Sequence, residues 1–181
     1  MQYNKTVTLK DGRTCHLRNG TAADGADVLA VFHQTHAETD YLLTYPDENH
    51  MTEEQESTYL VEVTASPNAI EICAVVDGNV LGTAGFSPVG GAEKLRHRAE
   101  FGIAIRKDSW GLGIGRALTE ACIDRARQAG YAQLELDVVA ENASAIALYQ
   151  TCGFMEYGRN PKGFRSRTAG WQTLVLMRKE L

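Results

Sequence analysis

Residues 109–118 read SWGLGIGRAL, with Gly111, Gly113 and Gly115 on alternate positions and Arg116 directly after them. An alternating apolar run, AEFGIAIR at 99–106, comes just before. Glycine at this density costs backbone entropy and helix propensity, so it answers a local geometric need. A turn of N–H groups with little side-chain cover, opening a helix, binds anions: unpaired donors point outward and the helix dipole favours negative charge. Two familiar loops of this kind fail on the letters. The dinucleotide fingerprint G-x-G-x-x-G would put its third glycine at Arg116 or Leu118. The nucleotide loop G-x-x-x-x-G-K-[ST] needs a lysine that follows none of these glycines. Arg106, Lys107 and Arg116 stand by as counter-charge at the rim. Alone, the loop leaves open whether it holds a ligand or only joins a strand to a helix.

The elements around it set its place. VTLKDGRTCHL reads as a hairpin turning at Asp11-Gly12 in a type I′ turn, and Thr21 caps a first helix running to about Ala37. Thr52 with Gln55 forms a capping box for a second helix over 53–65. AIEICAVVDGNVLGTAGFSP gives two strands joined at Asp77-Gly78-Asn79, and 99–106 a third. A helix over 113–129 carries Ile114, Ala117, Leu118, Ala121, Cys122 and Ala126 on one face and stops at Gly130. AQLELDVV is the next strand; Asn142 caps the helix ASAIALYQTC, which Gly153 ends. FMEYGR and WQTLVLMRK finish as two strands around a loop containing glycine and arginine. The expected fold is α/β (α+β), a mixed sheet of about seven strands flanked by about four helices, in a single domain over 1–181. Its β-α-β unit puts the glycine loop at the carboxyl end of a strand, where open sheets of this kind bind ligands.

Composition narrows the classes. The 181 residues are 44% apolar and 23% charged, ordinary for a globular domain. No apolar run approaches the ~20 residues of a membrane span, and the first residues lack the apolar stretch of a secretory signal, so a cytoplasmic setting with no membrane partner is expected. A net charge of −5 argues against nucleic acid. Cys15, Cys73, Cys122 and Cys152 form no C-x-x-C pair and read as reduced, packed thiols. Among the five histidines only His33 and His36 share a helix face, with no third ligand, so no metal is expected.

Downstream of the glycine loop, ENASAIALYQTCGF places Asn142, Ala145, Leu148, Tyr149, Gly153 and Phe154 in the pattern N-x-x-A-x-x-L-Y-x-x-x-G-F. The paired motifs, with RHRAEFGIAI as a central strand, resemble the GNAT superfamily of acetyl-CoA-dependent N-acetyltransferases, best over residues 68–158. Gly113 and Gly115 match the small positions of the family loop, while Trp110 stands where Gln or Arg is usual. The resemblance implies an acetyl group moved from acetyl-CoA to a primary amine of a small molecule, amino acid or peptide. Ile103, Ala104 and Ile105 would pair with the pantetheine arm like an added strand. The amides of Gly111, Leu112, Gly113, Ile114, Gly115 and Arg116 would hold the pyrophosphate, and Asn142 would touch the cosubstrate from the next helix.

Amine attack needs a neutral amine and somewhere for the thiolate charge. A lysine-like amine of pKa ~10.4 is neutral in roughly one molecule in a few thousand at pH 7, so a base helps. Glu100 is the first candidate, with Asp137 on the neighbouring strand the alternative. Tyr149 matches the family's general acid. Phenol (pKa ~10) is a weaker acid than a simple thiol (~8.5), so a hydrogen bond to the thiolate serves better than full proton transfer. For the acceptor, the resemblance implies walls at 36–48 and 160–170, where Glu38, Asp40, Asp47 and Glu48 would attract a cationic amine, and Arg165 and Arg167 would hold a carboxylate. Whether the chain is a homodimer stays open. The alternative reading is a non-catalytic acetyl-CoA or CoA sensor on the same fold.

Overall fold

A computed structural model describes residues 1–181, beginning with the hairpin of β1 (Asn4–Thr8) and β2 (Thr14–Asn19). Its turn is not the type I′ expected, because Asp77 is the only non-glycine residue with positive φ. Gly12 alone is left-handed, and the loop closes by Gly12 N–H donating to Leu9 C=O (3.0 Å) and Leu9 N–H to Arg13 C=O (2.8 Å). Thr21 opens a short 3-10 turn, its N–H and hydroxyl donating to Asp24, so α1 starts later than expected and spans Gly25–Glu38. The Thr52–Gln55 capping box forms as read, with α2 at Glu53–Ala65.

β3 (Ile70–Val76) and β4 (Asn79–Pro88) join through Asp77 and Gly78, at φ 50° and 80°, the two left-handed residues of a type I′ turn. Then follow β5 (Arg98–Ile105), α3 (Ile114–Gln128), β6 (Gln133–Val139), α4 (Ala143–Thr151), β7 (Met155–Ser166) and β8 (Gly170–Glu180). The single sheet has eight strands, ordered β1-β2-β3-β4-β5-β6-β8-β7. β7 continues through 160–166, the stretch read as a loop, because register shifts at Glu156/Gly158 and Asn160/Phe164 accommodate Pro161 on an edge strand.

The sheet is two wings with a narrow join. β4 and β5 share seven antiparallel pairs, as do β6 and β8, but β5 and β6 share three parallel pairs, ending at Glu100↔Glu135. Each strand follows its outer neighbour, so the two part beyond that point. Arg98 clasps the join, bidentate to Glu135 at 2.5 and 2.6 Å, with Gln133 Nε2 donating to the same carboxylate at 2.7 Å. The larger core lies under α3 and α4 around Leu118, Cys122, Phe101, Leu134 and Met177; a smaller one under α1 and α2 gathers Val28, Val31, Leu60 and Cys73. Burying each such side chain contributes about 1.5–3 kcal/mol. All four cysteines are free and buried. No helix is long and apolar enough to cross a membrane.

Candidate active site

The glycine run lies where β5 ends. Gly111 and Gly113 have φ of 78° and 98°, and an added Cβ would meet nothing within 4 Å at either, so conformation rather than space demands glycine. Gly115 is different: its Cβ would press on Leu148 at 3.0 Å, so it serves the close approach of α3 to α4. The first bond of α3 is Ala117 N–H to Gly113 C=O (3.1 Å), which leaves the amides of residues 111–116 without a protein acceptor. Arg116 faces the same space but pairs with Glu120 at 2.9 Å; Arg106 pairs with Asp108 at 2.7 Å, away from the cleft. Leu112 packs its side chain on the core and gives its carbonyl to Lys10 N–H (3.1 Å), leaving only its N–H to the loop.

The parted strands supply a second row of groups. Arg106 N–H donates to Leu81 on the β4 side (3.0 Å), while His97 C=O accepts from Ala132 and Gln133 on the β6 side (2.9 and 3.2 Å). By alternation Ile103 and Ile105 turn their peptide groups into the gap. Ala104, paired with Thr83, turns its own toward β4, so the expected added strand would bond to alternate residues and not to Ala104. Trp110 explains itself here. Its indole N–H donates to Ile105 C=O at 2.8 Å, tying the loop to the strand end and occupying one carbonyl of the row.

A continuous cleft of about 1010 Å³ runs through the gap and is lined from both faces of the sheet. Every residue expected to bind acetyl-CoA or act on it, except Leu112, lines it, including Asn142, whose Oδ1 accepts from Ala145 N–H (3.2 Å) and so also caps α4. Tyr149 is 7% exposed and packs edge-on against Phe101, ring centroids 6.2 Å apart. Burial pushes its hydroxyl well above the usual phenol range, and no protein group bonds it. It is a protonated donor aimed at the cleft.

Ala99 and Phe101 bury on the α3 face, so Glu100 and Gly102 point to the α1–α2 face. Asp137, two residues past the last β5–β6 pair, faces the same way across the gap, and burial first, then Glu135, raises its carboxyl. Two carboxylates therefore flank the gap on the side opposite the glycine-loop helix.

The two stretches expected to wall the acceptor, 36–48 and 160–170, do line the cleft, but not through the charged residues singled out in them. None of Glu38, Asp40, Asp47, Glu48, Arg165 and Arg167 lines the cleft. Glu38 accepts from Lys107 N–H (2.7 Å), Asp40 from Ser166 Oγ, and Glu48 from Tyr45 N–H (2.7 Å), while Asp47 pairs with Arg167 at 2.8 Å. Asp40 and Asp47 stitch the segment after α1 to the β7–β8 turn, while Arg165 lies over Trp171. Those stretches contribute Tyr41, Leu42, Leu43 and Phe164, joined by Tyr59 from α2 and by one carboxylate that the sequence reading passed over, Glu71. Glu71 is a lone charge within AIEICAVV, and its register partners Gly85 and then Gly102 are the signal that could have marked it.

A split sheet that offers free strand edges beside an amide-lined turn is a sheet built to take an extended ligand. A family model described as the acetyltransferase (GNAT) family matches residues 33–154, and the chain belongs to that family. Over 56 residues, 31% of the chain and 38% of the relative, it is 50% identical to the [ribosomal protein bS18]-alanine N-acetyltransferase of Escherichia coli K12. Over 105 residues, 58% of the chain and 60% of the relative, it is 28% identical to the L-amino acid N-acyltransferase MnaT of the same organism. The matched stretches thus span less than two thirds of either curated relative. The crystal structure of a GNAT-family acetyltransferase from Streptococcus pneumoniae is similar with a TM-score of 0.87 at 27% identity, covering 92% of this chain and 99% of that one.

Proposed function

We propose that the protein transfers an acetyl group from acetyl-CoA to a primary amine by direct attack in a ternary complex. The observation that carries this reading is the run of free amides at 111–116 beside the open edge of β5. The amides would take the pyrophosphate, and Ile103 with the N–H of Ile105 would take the pantetheine arm. The amine enters from the α1–α2 face, between Glu100 and Asp137, and one of these carboxylates accepts the proton that attack releases. The nitrogen lone pair forms the new C–N bond, the C–S bond breaks, and Tyr149 donates a hydrogen bond to the sulfur that carries the charge away. Raised by burial, Asp137 is the stronger candidate base; comparing Asp137→Asn with Glu100→Gln, the larger loss of kcat marks the residue that takes the proton.

The named activities of the two Escherichia coli relatives support an amine acceptor. The setting is cytoplasmic, with no nucleic-acid partner; light scattering decides between monomer and homodimer. Acetyl-CoA raises the melting temperature of the protein under this reading, and an unchanged melting temperature at high concentration overturns it.

A further inference from the structure

A smaller cavity of about 240 Å³ opens off the acceptor side of the cleft, beneath α1 and α2. Tyr59, Glu71, Thr83 and Ala104 line both spaces, so the two adjoin. Two carboxylates face the smaller one, Glu56 from α2 and Glu71 from β3, among Val28, Val31 and Phe32. Glu56 is 8% exposed, and its carboxylate has neither a hydrogen-bond partner nor a cation; burial alone acts on it. Burial and the like charge of Glu56 push the Glu71 carboxyl up, against a smaller opposing pull from the Thr83 hydroxyl. Two uncompensated carboxylates in an apolar pocket are costly unless a cation joins them. No Lys or Arg lines either cavity near them: Lys10 and Arg116 lie at the glycine-loop end of the cleft.

The floor between this pocket and the gap is bare. Glu71 pairs in register with Gly85, and Gly85 with Gly102, so one row across the sheet carries no side chain between Glu71 and the parted strands. A Cβ at Gly85 would collide with the Glu71 carboxylate, which therefore lies over that glycine, while the space above Gly102 is open.

We propose that Glu56 and Glu71 bind a second cationic group of the acceptor, so that the preferred substrate is a primary amine carrying another positively charged nitrogen. The inference rests on the acetyltransferase reading and names its substrate class. The Glu71 carboxylate sits one strand from β5 and the midline of the gap half a strand beyond it. At ~4.8 Å per strand the two lie roughly 7 Å apart, the reach of an aliphatic diamine of about four to six carbons. The charged end enters between the carboxylates, and the free end stands over Gly102 at the gap.

The test compares 1,5-diaminopentane with 1-aminopentane, matched in length and differing by one charge. With saturating acetyl-CoA, the diamine is expected to show kcat/KM about tenfold or more above the monoamine, carried by KM, as charge-assisted hydrogen bonds of this kind imply. Glu71→Gln and Glu56→Gln should each bring the ratio toward one, with melting curves confirming that both variants fold. Equal use of the two amines by the wild-type protein, or a preference that survives both substitutions, overturns the assignment while leaving the acetyltransferase reading intact. Should no amine be acetylated, that reading fails on its own. The pocket is then judged by the diamine alone: a melting shift in the wild-type protein that both variants lose supports it, and no shift overturns it.

Discussion

Replacing Glu71 by Gln probes the buried charge through stability, independently of any substrate. Burial, and secondarily Glu56, raise the Glu71 carboxyl from 4.5 to about 7, while the Thr83 hydroxyl pulls the other way. The folded chain therefore holds this proton more tightly than the unfolded one. Between about pH 4.5 and 7 the folded state binds more protons, so stability falls as pH rises through that window and is level above it. At 1.36 kcal/mol per unit the loss reaches about 3 kcal/mol. Glutamine cannot ionise, so Glu71→Gln escapes that loss. Its advantage over the wild-type protein should be near zero at about pH 4.5 and grow to at most about 3 kcal/mol at about pH 8. For a chain of this size that is roughly 6–10 °C in Tm. The titratable groups facing Glu71 are Glu56 and Tyr59 from α2 and the Cys73 thiol on its own strand, and Cys73 and Tyr59 stay neutral because burial raises both. Thermal melts followed by circular dichroism at the two pH values give the answer. A Tm difference that does not change with pH, or a variant less stable than the wild-type protein at the higher pH, would refute the reasoning.

Tyr149→Phe removes the hydroxyl aimed at the cleft and should lower kcat about tenfold or more with little change in acetyl-CoA affinity, read by kinetics beside calorimetry. Gly113→Ala forces a side chain onto φ 98° and should cost about 1–2 kcal/mol in urea melts while weakening acetyl-CoA binding, since the loop amides turn with it. Arg98→Ala strips the bidentate partner from buried Glu135 at the join of the wings and should destabilise by about 2–4 kcal/mol, with hydrogen exchange rising first in β6.

Features fixed by neighbouring letters were legible in the sequence. The Thr52–Gln55 box set the start of α2, Asp77-Gly78 set its turn type, and the glycine run set the amide loop, because each depends on a few adjacent dihedrals. Asp11-Gly12 misled for the same reason: its letters suit two turns, and the Asp11 carboxylate, accepting from Arg13 N–H at 3.1 Å, favours the one with a single left-handed residue. The extension of β7 depended on bulges that an edge strand tolerates, which composition does not reveal. The acceptor wall was legible as two stretches, 36–48 and 160–170, but not in the residues that face the cleft. Asp40 and Asp47 looked available because charge was visible and partners were not; Ser166 and Arg167 lie far along the chain. Glu71 was invisible for the converse reason, as its meaning comes from Gly85, Gly102 and Glu56, none of them its neighbours in sequence.

The measurement that bears most directly on the central claim is release of free CoA thiol from acetyl-CoA, followed with and without amine, with the acylated product confirmed by mass spectrometry. The panel spans diamines, monoamines, amino acids and peptides with a free N-terminus. Thiol release that requires both the protein and an amine, and that Tyr149→Phe slows, is the predicted result. Tight acetyl-CoA binding with no amine-dependent thiol release from any member of the panel would contradict it and make the protein a cosubstrate-binding sensor.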